Sequence, residues 1–79
     1  MKRALVTGGS GGIGAAICRR LARDGRHVVV HGHSRMDAAD AVAKAIRDDG
    51  GSAETIGFDV TDGRAVARAV ETLLQAGPI

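Results

Sequence analysis

The stretch Thr7-Gly8-Gly9-Ser10-Gly11-Gly12-Ile13-Gly14 determines how the rest of the sequence is interpreted. A short apolar run from Arg3 to Thr7 precedes it, and an amphipathic segment from Ile13 to Asp24 follows it. The first N–H groups of a helix are unpaired and carry partial positive charge, so a glycine-rich turn leading into a helix favours phosphate binding. Glycines also allow a sharp turn and the close approach of phosphates that a Cβ would block. The stretch therefore predicts a strand, a pyrophosphate-binding loop and a helix.

The glycines of this loop fit three spacings at once. Gly9, Gly11 and Gly14 fit G-x-G-x-x-G, whereas Gly8, Gly11 and Gly14 fit T-G-x-x-G-x-x-G. Gly8, Gly12 and Gly14 also fit T-G-x-x-x-G-x-G. Spacing alone does not choose among them, and a purely structural tight turn is the alternative interpretation. A P-loop is excluded because no Lys-Ser or Lys-Thr follows Gly14.

Apolar segments of strand and helix character alternate along the whole sequence. Strands are predicted at 3–7, 27–31 and 53–59, and helices at 13–24, 37–49 and after an N-cap at Thr61. Such alternation indicates parallel strands joined by right-handed helical crossovers. We therefore predict an α/β fold of the three-layer Rossmann type, consisting of the first β-α-β-α-β-α units of a doubly wound parallel sheet. The expected strand order is 3-2-1, and the sheet is expected to be incomplete.

Each predicted helix carries an apolar face. The expected apolar positions are Ile13, Ile17 and Leu21 in the first helix and Val66, Val70 and Leu73 in the third. Cys18, one turn beyond Gly14, is expected to be buried as a small apolar side chain beneath the glycine loop. Gly25 occupies the position that commonly ends a helix.

The composition limits the classes of function. The sequence has 79 residues, about half of an ordinary α/β domain, and 44% apolar and 25% charged residues are typical of a globular protein. The net charge of +2 comes largely from scattered arginines and does not predict nucleic-acid binding. The single cysteine, Cys18, excludes an internal disulfide. No apolar run approaches the roughly 20 residues of a membrane span. We expect a cytoplasmic protein with neither a nucleic-acid nor a membrane partner.

The three histidines do not predict a metal site. At about 3.3 Å per strand residue, His27 and His31 stand about 13 Å apart, too far to share one ion. His31 and His33 could converge, but two ligands without a cysteine or acidic partner make a poor site. We therefore expect no bound metal.

Three segments resemble the classical short-chain dehydrogenase/reductase family. Thr7-Gly8 with Gly12-Ile13-Gly14 resembles that family's T-G-x-x-x-G-I-G, and Ala16-Ile17 with Leu21-Ala22 resembles the helix that follows it. Phe58-Asp59-Val60-Thr61-Asp62 resembles the D-V-T-D after the third strand. The resemblance covers essentially the whole sequence and is closest to the 3-oxoacyl-(acyl-carrier-protein) reductases and their ketoreductase relatives.

The resemblance implies a nicotinamide dinucleotide on the glycine loop. The residues that it places around the pyrophosphate are Gly8, Ser10, Gly11, Gly12, Ile13 and Gly14. It also implies that Asp59 accepts a hydrogen bond from the adenine amino group, with the Val60 backbone beside it. The alternative is that Asp59 only stabilises the turn into the third helix, close to Thr61.

The end of the second strand favours NADP over NAD. An acidic residue near position 32 would repel a 2′-phosphate, but Gly32 has no side chain. His33, Ser34 and Arg35 follow and offer donors and positive charge. The alternative is a solvated loop with Ser34 near the start of the next helix. The sequence also departs from many NADP-dependent relatives, which carry Arg or Lys at the position of Gly11.

No catalytic residue is assigned in this sequence. The family reduces carbonyl groups with a Ser and a Tyr-x-x-x-Lys pair, and the sequence contains no Tyr. We expect residues 1–79 to be the N-terminal dinucleotide-binding part of one Rossmann domain and to be inactive alone. The resemblance implies reduction of a carbonyl, in particular a 3-oxoacyl thioester on an acyl-carrier protein, and a homo-oligomeric full-length enzyme. The alternative is a standalone nucleotide-binding or interaction module without catalysis.

The cofactor preference gives a first prediction. Replacing Arg35 with Ala should weaken NADP(H) binding by about 1–2 kcal/mol, the size of a charged hydrogen bond, and leave NAD(H) nearly unchanged. Titration of the protein at its natural length with each dinucleotide measures the difference. Arg19→Ala, on the predicted solvated helix face, serves as the control. Equal losses for both cofactors would contradict the assignment.

Overall fold

The computed structural model describes residues 2–8, 11–33, 36–77 and 79. The elements are β1 (Arg3–Val6), α1 (Gly12–Arg23), β2 (His27–Gly32), α2 (Met36–Asp48), β3 (Ser52–Gly57) and α3 (Gly63–Gln75). The three strands form a parallel sheet with β2 in the middle, in the order β1-β2-β3. The predicted α/β arrangement and strand order are therefore confirmed, and the predicted element ends lie within two residues of those observed.

The apolar core lies between the sheet and helices α1 and α2. Because strand side chains alternate, Val28 and Val30 face these helices and Val29 faces the other side of the sheet. The buried cluster consists of Cys18, Val28, Val30, Ala39, Val42, Ala43, Ile46 and Ala53. All three valines of β2 are fully buried, which contributes about 1.5–3 kcal/mol for each side chain.

The buried face of α1 differs from the prediction. Cys18 is fully buried, as expected, but Ile13 is 83% exposed and Ile17 is 47% exposed. At 100° per residue, these two side chains lie about 140° and 100° around the helix from Cys18. Only Leu21 of the predicted set packs against the core. The prediction fails because β1, β2 and α2 cover one side of α1, whereas its apolar surface extends farther around the helix.

Glycines shape the turns that follow the first two helices. Gly25 and Gly50 both have a φ of 87°, the left-handed conformation that commonly ends a helix. A Cβ at Gly51 would lie 2.8 Å from Cγ2 of Ile46 and 3.1 Å from the Ile46 carbonyl oxygen. Gly51 is therefore required by the close packing of the turn against the end of α2.

Helix α3 lies on the opposite face of the sheet, where Arg3 of β1 bonds the end of the helix. Arg3 points to this face, and its guanidinium donates to the carbonyl oxygens of Leu73 and Gly77 and to Oε1 of Glu54 at 3.3 Å. Leu73 is buried, whereas the predicted inner residues Val66 and Val70 are only half-buried.

The N-cap of α3 also differs from the prediction. Asp62, not Thr61, caps the helix, since its Oδ1 accepts hydrogen bonds from the N–H groups of Arg64 and Ala65 at 3.0 and 3.3 Å. Thr61 instead donates to Asp59. In the part of the chain that the structure describes, no helix has the length and apolarity needed to cross a membrane.

The buried cysteine gives a prediction about the fold. Burial raises the pKa of the Cys18 thiol, although a hydrogen bond with its own backbone partly opposes the shift. Since the thiolate is the reactive form, alkylation by iodoacetamide should be at least about tenfold slower in the folded protein than in urea. Mass spectrometry measures both rates. The control is Cys18→Ala combined with Arg19→Cys, which places a thiol on the exposed side and should react at similar rates in both states. Equal rates for the wild-type thiol would contradict its burial.

Candidate functional site

The carboxyl ends of the three strands meet at one edge of the sheet. The N–H of Gly8, after β1, donates to Nδ1 of His31 in β2 at 3.0 Å. Nε2 of the same ring lies 2.7 Å from the carbonyl oxygen of Phe58, which follows β3. The Phe58 N–H donates to the Gly32 carbonyl oxygen at 3.3 Å. Ligands of open parallel α/β sheets bind at this edge.

The glycine loop has the geometry of a tight turn that opens a helix. Gly8 has a φ of 65°, and its carbonyl oxygen accepts from the Gly11 N–H at 3.2 Å. Gly11 is the N-cap of α1 and provides no side-chain cap, so the first N–H groups of the helix are available to an anion.

The space above the first turn of α1 is open. A Cβ at Gly12 would meet no atom within 4 Å, and one at Gly11 would make only an ordinary contact of 3.6 Å with the Gly8 carbonyl oxygen. Packing within the described protein therefore does not require glycine at position 12. A phosphate group that approaches the backbone there would require it.

The structure places some predicted site residues and leaves others untested. Gly14 lies in the first turn of α1 next to the exposed Ile13, and Val60 is exposed beside Asp59. His33 is exposed just after β2. Ser10, Ser34 and Arg35 lie outside the described residues, so their predicted contacts stay predictions.

Asp59 is held as an ionised carboxylate. Its Oδ1 accepts from the Thr61 hydroxyl at 2.7 Å and from the Thr61 N–H at 2.9 Å. These two bonds lower the pKa of Asp59, partial desolvation opposes the shift, and the electrostatic interaction with His33 adds a smaller lowering effect. Asp59 therefore does stabilise the turn toward α3, as the alternative interpretation proposed. Its other oxygen, Oδ2, receives no hydrogen bond from the described residues, so an adenine contact is compatible with the turn.

His31 is the site residue that the sequence analysis missed. It is 4% exposed, the lone buried polar side chain among the described residues, and its ring centroid lies 4.2 Å from that of Phe58. A carbonyl oxygen only accepts, so Nε2 donates to Phe58 and Nδ1 accepts from Gly8, which defines a neutral ring. The signal in the sequence was a histidine at the end of an otherwise apolar central strand. No group of three potential metal ligands comes together within the described ranges.

The hydrogen bonds of Asp59 give a prediction about its titration. Thr61→Val removes the hydroxyl donor and should raise the pKa of Asp59 toward its ordinary value, because the ionised form loses a bond. A ¹³C NMR titration of the Asp59 carboxyl carbon measures the shift. Because the native pKa is depressed, the stability that Asp59 contributes is lost as the pH falls through that native value.

The control for this titration is Thr72→Val. This substitution also removes a threonine hydroxyl, but that hydroxyl donates to the Arg68 carbonyl oxygen within α3. It should leave the titration of Asp59 unchanged. A titration of Asp59 that is identical in Thr61→Val and the wild type would contradict the assigned cause.

The sequence is similar to those of known proteins. The family model described as short chain dehydrogenase matches residues 2–78. The 3-oxoacyl-(acyl-carrier-protein) reductase FabG of Aggregatibacter actinomycetemcomitans is 51% identical over 57 residues, which are 72% of this chain and 24% of that protein.

Solved structures have the same arrangement of elements. A metagenomic short-chain oxidoreductase in complex with NADP has a TM-score of 0.91 and 37% identity, over 95% of this chain and 34% of that one. The landomycin C-6 ketoreductase LanV, with bound NADP and rabelomycin, has a TM-score of 0.86 and 41% identity, over 95% of this chain and 31% of that one. The chain thus spans about a quarter to a third of the length of these relatives.

Proposed function

Because the chain belongs to the short-chain dehydrogenase family, we propose that it forms the NADP(H)-binding portion of an oxidoreductase that reduces a carbonyl group to a hydroxyl. The observation that carries this proposal is the position of two features at one sheet edge. These are the uncapped first turn of α1, with open space at Gly12, and the ionised carboxylate of Asp59. The N–H groups of the first turn suit a pyrophosphate, and the Asp59 carboxylate suits the adenine amino group.

The residues of this chain bind and orient the dinucleotide. The first N–H groups of α1 donate to the pyrophosphate, and Gly12 leaves room for it. Oδ2 of Asp59 accepts from the adenine amino group, and the Val60 backbone lies beside the ring. The exposed His33 supplies a hydrogen-bond donor for a 2′-phosphate, and Ser34 and Arg35 add further donors and the positive charge of the guanidinium. When bound, the dinucleotide supplies the hydride.

The substrate and the cellular setting are further parts of the proposal. The similarity to a 3-oxoacyl-(acyl-carrier-protein) reductase supports a 3-oxoacyl thioester on an acyl-carrier protein as the carbonyl substrate. The family's Tyr-x-x-x-Lys pair is absent from these 79 residues, which contain no Tyr, so reduction requires polypeptide that supplies it. We place residues 1–79 as the N-terminal part of one Rossmann domain, in a cytoplasmic homo-oligomer.

A pair of glycine substitutions tests the proposed pyrophosphate site. Gly12 and Gly63 are each the first residue of a helix, and a Cβ at either position would meet no atom within 4 Å. Ala at either position should keep or improve stability, by up to about 1 kcal/mol. Gly12→Ala should nevertheless weaken NADPH binding at least about tenfold, or about 1.4 kcal/mol, because its Cβ enters the space of the pyrophosphate.

Fluorescence titration with NADPH and a thermal melt measure both effects in the protein at its natural length. The matched control, Gly63→Ala, should leave the NADPH affinity within about twofold of the wild type because it lies at the start of a different helix. An unchanged affinity in Gly12→Ala would mean that the pyrophosphate binds elsewhere. A wild-type protein that binds no NADPH would refute the proposed function. Binding without carbonyl reduction would favour a nucleotide-binding module.

A further inference from the structure

His31 makes its two hydrogen bonds where the sheet ladder stops. Val6 is the last residue of β1 that pairs with β2, opposite Val30, and Gly57 is the last residue of β3, opposite Gly32. The chain then leaves the sheet on both sides, at Gly8 and at Phe58. The imidazole ring bonds the backbone of both departing segments, at 3.0 and 2.7 Å.

Burial, ring packing and two hydrogen bonds fix the orientation of the His31 imidazole. It is buried, and it packs against the Phe58 ring at a tilt of 43°. Each ring nitrogen has one partner, a donor on one side and an acceptor on the other, so both bonds require one neutral tautomer. An apolar side chain of similar size could fill the same volume but would leave a backbone N–H and a backbone carbonyl unpaired.

The two segments joined by the ring carry the two ends of the proposed nucleotide site. Gly8 begins the turn that leads to the first N–H groups of α1, and Phe58 directly precedes Asp59. We propose that His31 is a positioning residue, which sets the pyrophosphate-binding turn and the adenine-binding carboxylate at the spacing of one dinucleotide. This inference rests on the proposed function and adds a specific residue to it.

Two polar substitutions separate the two hydrogen bonds. The Asn amide oxygen can take the place of ring Nδ1 and accept from Gly8, whereas the longer Gln amide nitrogen can take the place of Nε2 and donate to Phe58. His31→Asn thus keeps the bond to the glycine turn, and His31→Gln keeps the bond beside Asp59. His31→Leu keeps neither.

Two ligands report on the two ends of the site in the protein at its natural length. NADPH contacts both ends, whereas adenosine 2′-monophosphate has no phosphate at the 5′ position and contacts only the adenine end. We expect His31→Gln to raise the Kd of NADPH about tenfold and to leave that of the monophosphate within about twofold. We expect His31→Asn to raise both Kd values by the same factor. His31→Leu should raise both, and that of NADPH by more.

His27→Gln is the matched control. His27 lies at the opposite end of β2, where its Nδ1 is within hydrogen-bond distance of Oγ of Ser52. This substitution should leave both Kd values unchanged. If all three His31 variants instead weaken the two ligands equally, in proportion to their loss of thermal stability, His31 is only structural and the inference is overturned.

The wild-type protein provides a measurement that needs no variant. ¹⁵N NMR should show His31 protonated at Nε2 and not at Nδ1, both without and with NADPH. Protonation of Nδ1 in the NADPH-bound form would overturn the inference. Failure of the wild type to bind NADPH would instead refute the proposed function, so the two failures are distinguishable.

Discussion

The parallel pairing of β2 on both of its edges is the constraint on which the site depends. Its valines are fully buried, and its two neighbours run in the same direction, so all three strands end at one edge. Buried parallel strands of this kind are stabilised by apolar helices packed on the sheet. Backbone groups of the segments that leave the sheet have no ladder partners at this edge. His31, the residue before the last one of β2, is buried and pairs with two of them, the Gly8 N–H and the Phe58 carbonyl oxygen.

The two faces of the sheet differ in chemistry. The face toward α1 and α2 is closed by small apolar side chains, whereas the face toward α3 carries Arg3 and Glu54. Arg3 bonds the carbonyl oxygens at the end of α3, which a helix leaves unpaired. Helices α1 and α2 thus pack on the sheet through apolar side chains, and α3 combines the buried Leu73 side chain with two directional hydrogen bonds from Arg3.

Local signals in the sequence were sufficient for the strands and helices. Apolar residues alternate between strand-like and helix-like spacing along the chain, and this pattern predicted every strand and helix because it depends only on neighbouring residues. The buried face of α1 was not predictable in this way, since Ile13 is apolar but the sheet decides which side is covered. Thr61 and Asp62 are both good N-caps, and the competing bonds from Thr61 to Asp59 decided between them. The role of His31 depends on the distances from its ring nitrogens to Gly8 and Phe58, which neither the local pattern nor the predicted strand order provides.

Gly12 and Gly51 are kept free of a side chain for different reasons, and this has an evolutionary consequence. A Cβ at Gly51 would collide with Ile46, whereas one at Gly12 would meet only open space. Selection at Gly51 therefore acts through folding and persists in any descendant that keeps α2 in place. Under the proposed function, selection at Gly12 acts through the ligand and would relax in a lineage that abandoned dinucleotide binding. Comparing the two positions would thus show whether a descendant still uses a dinucleotide cofactor.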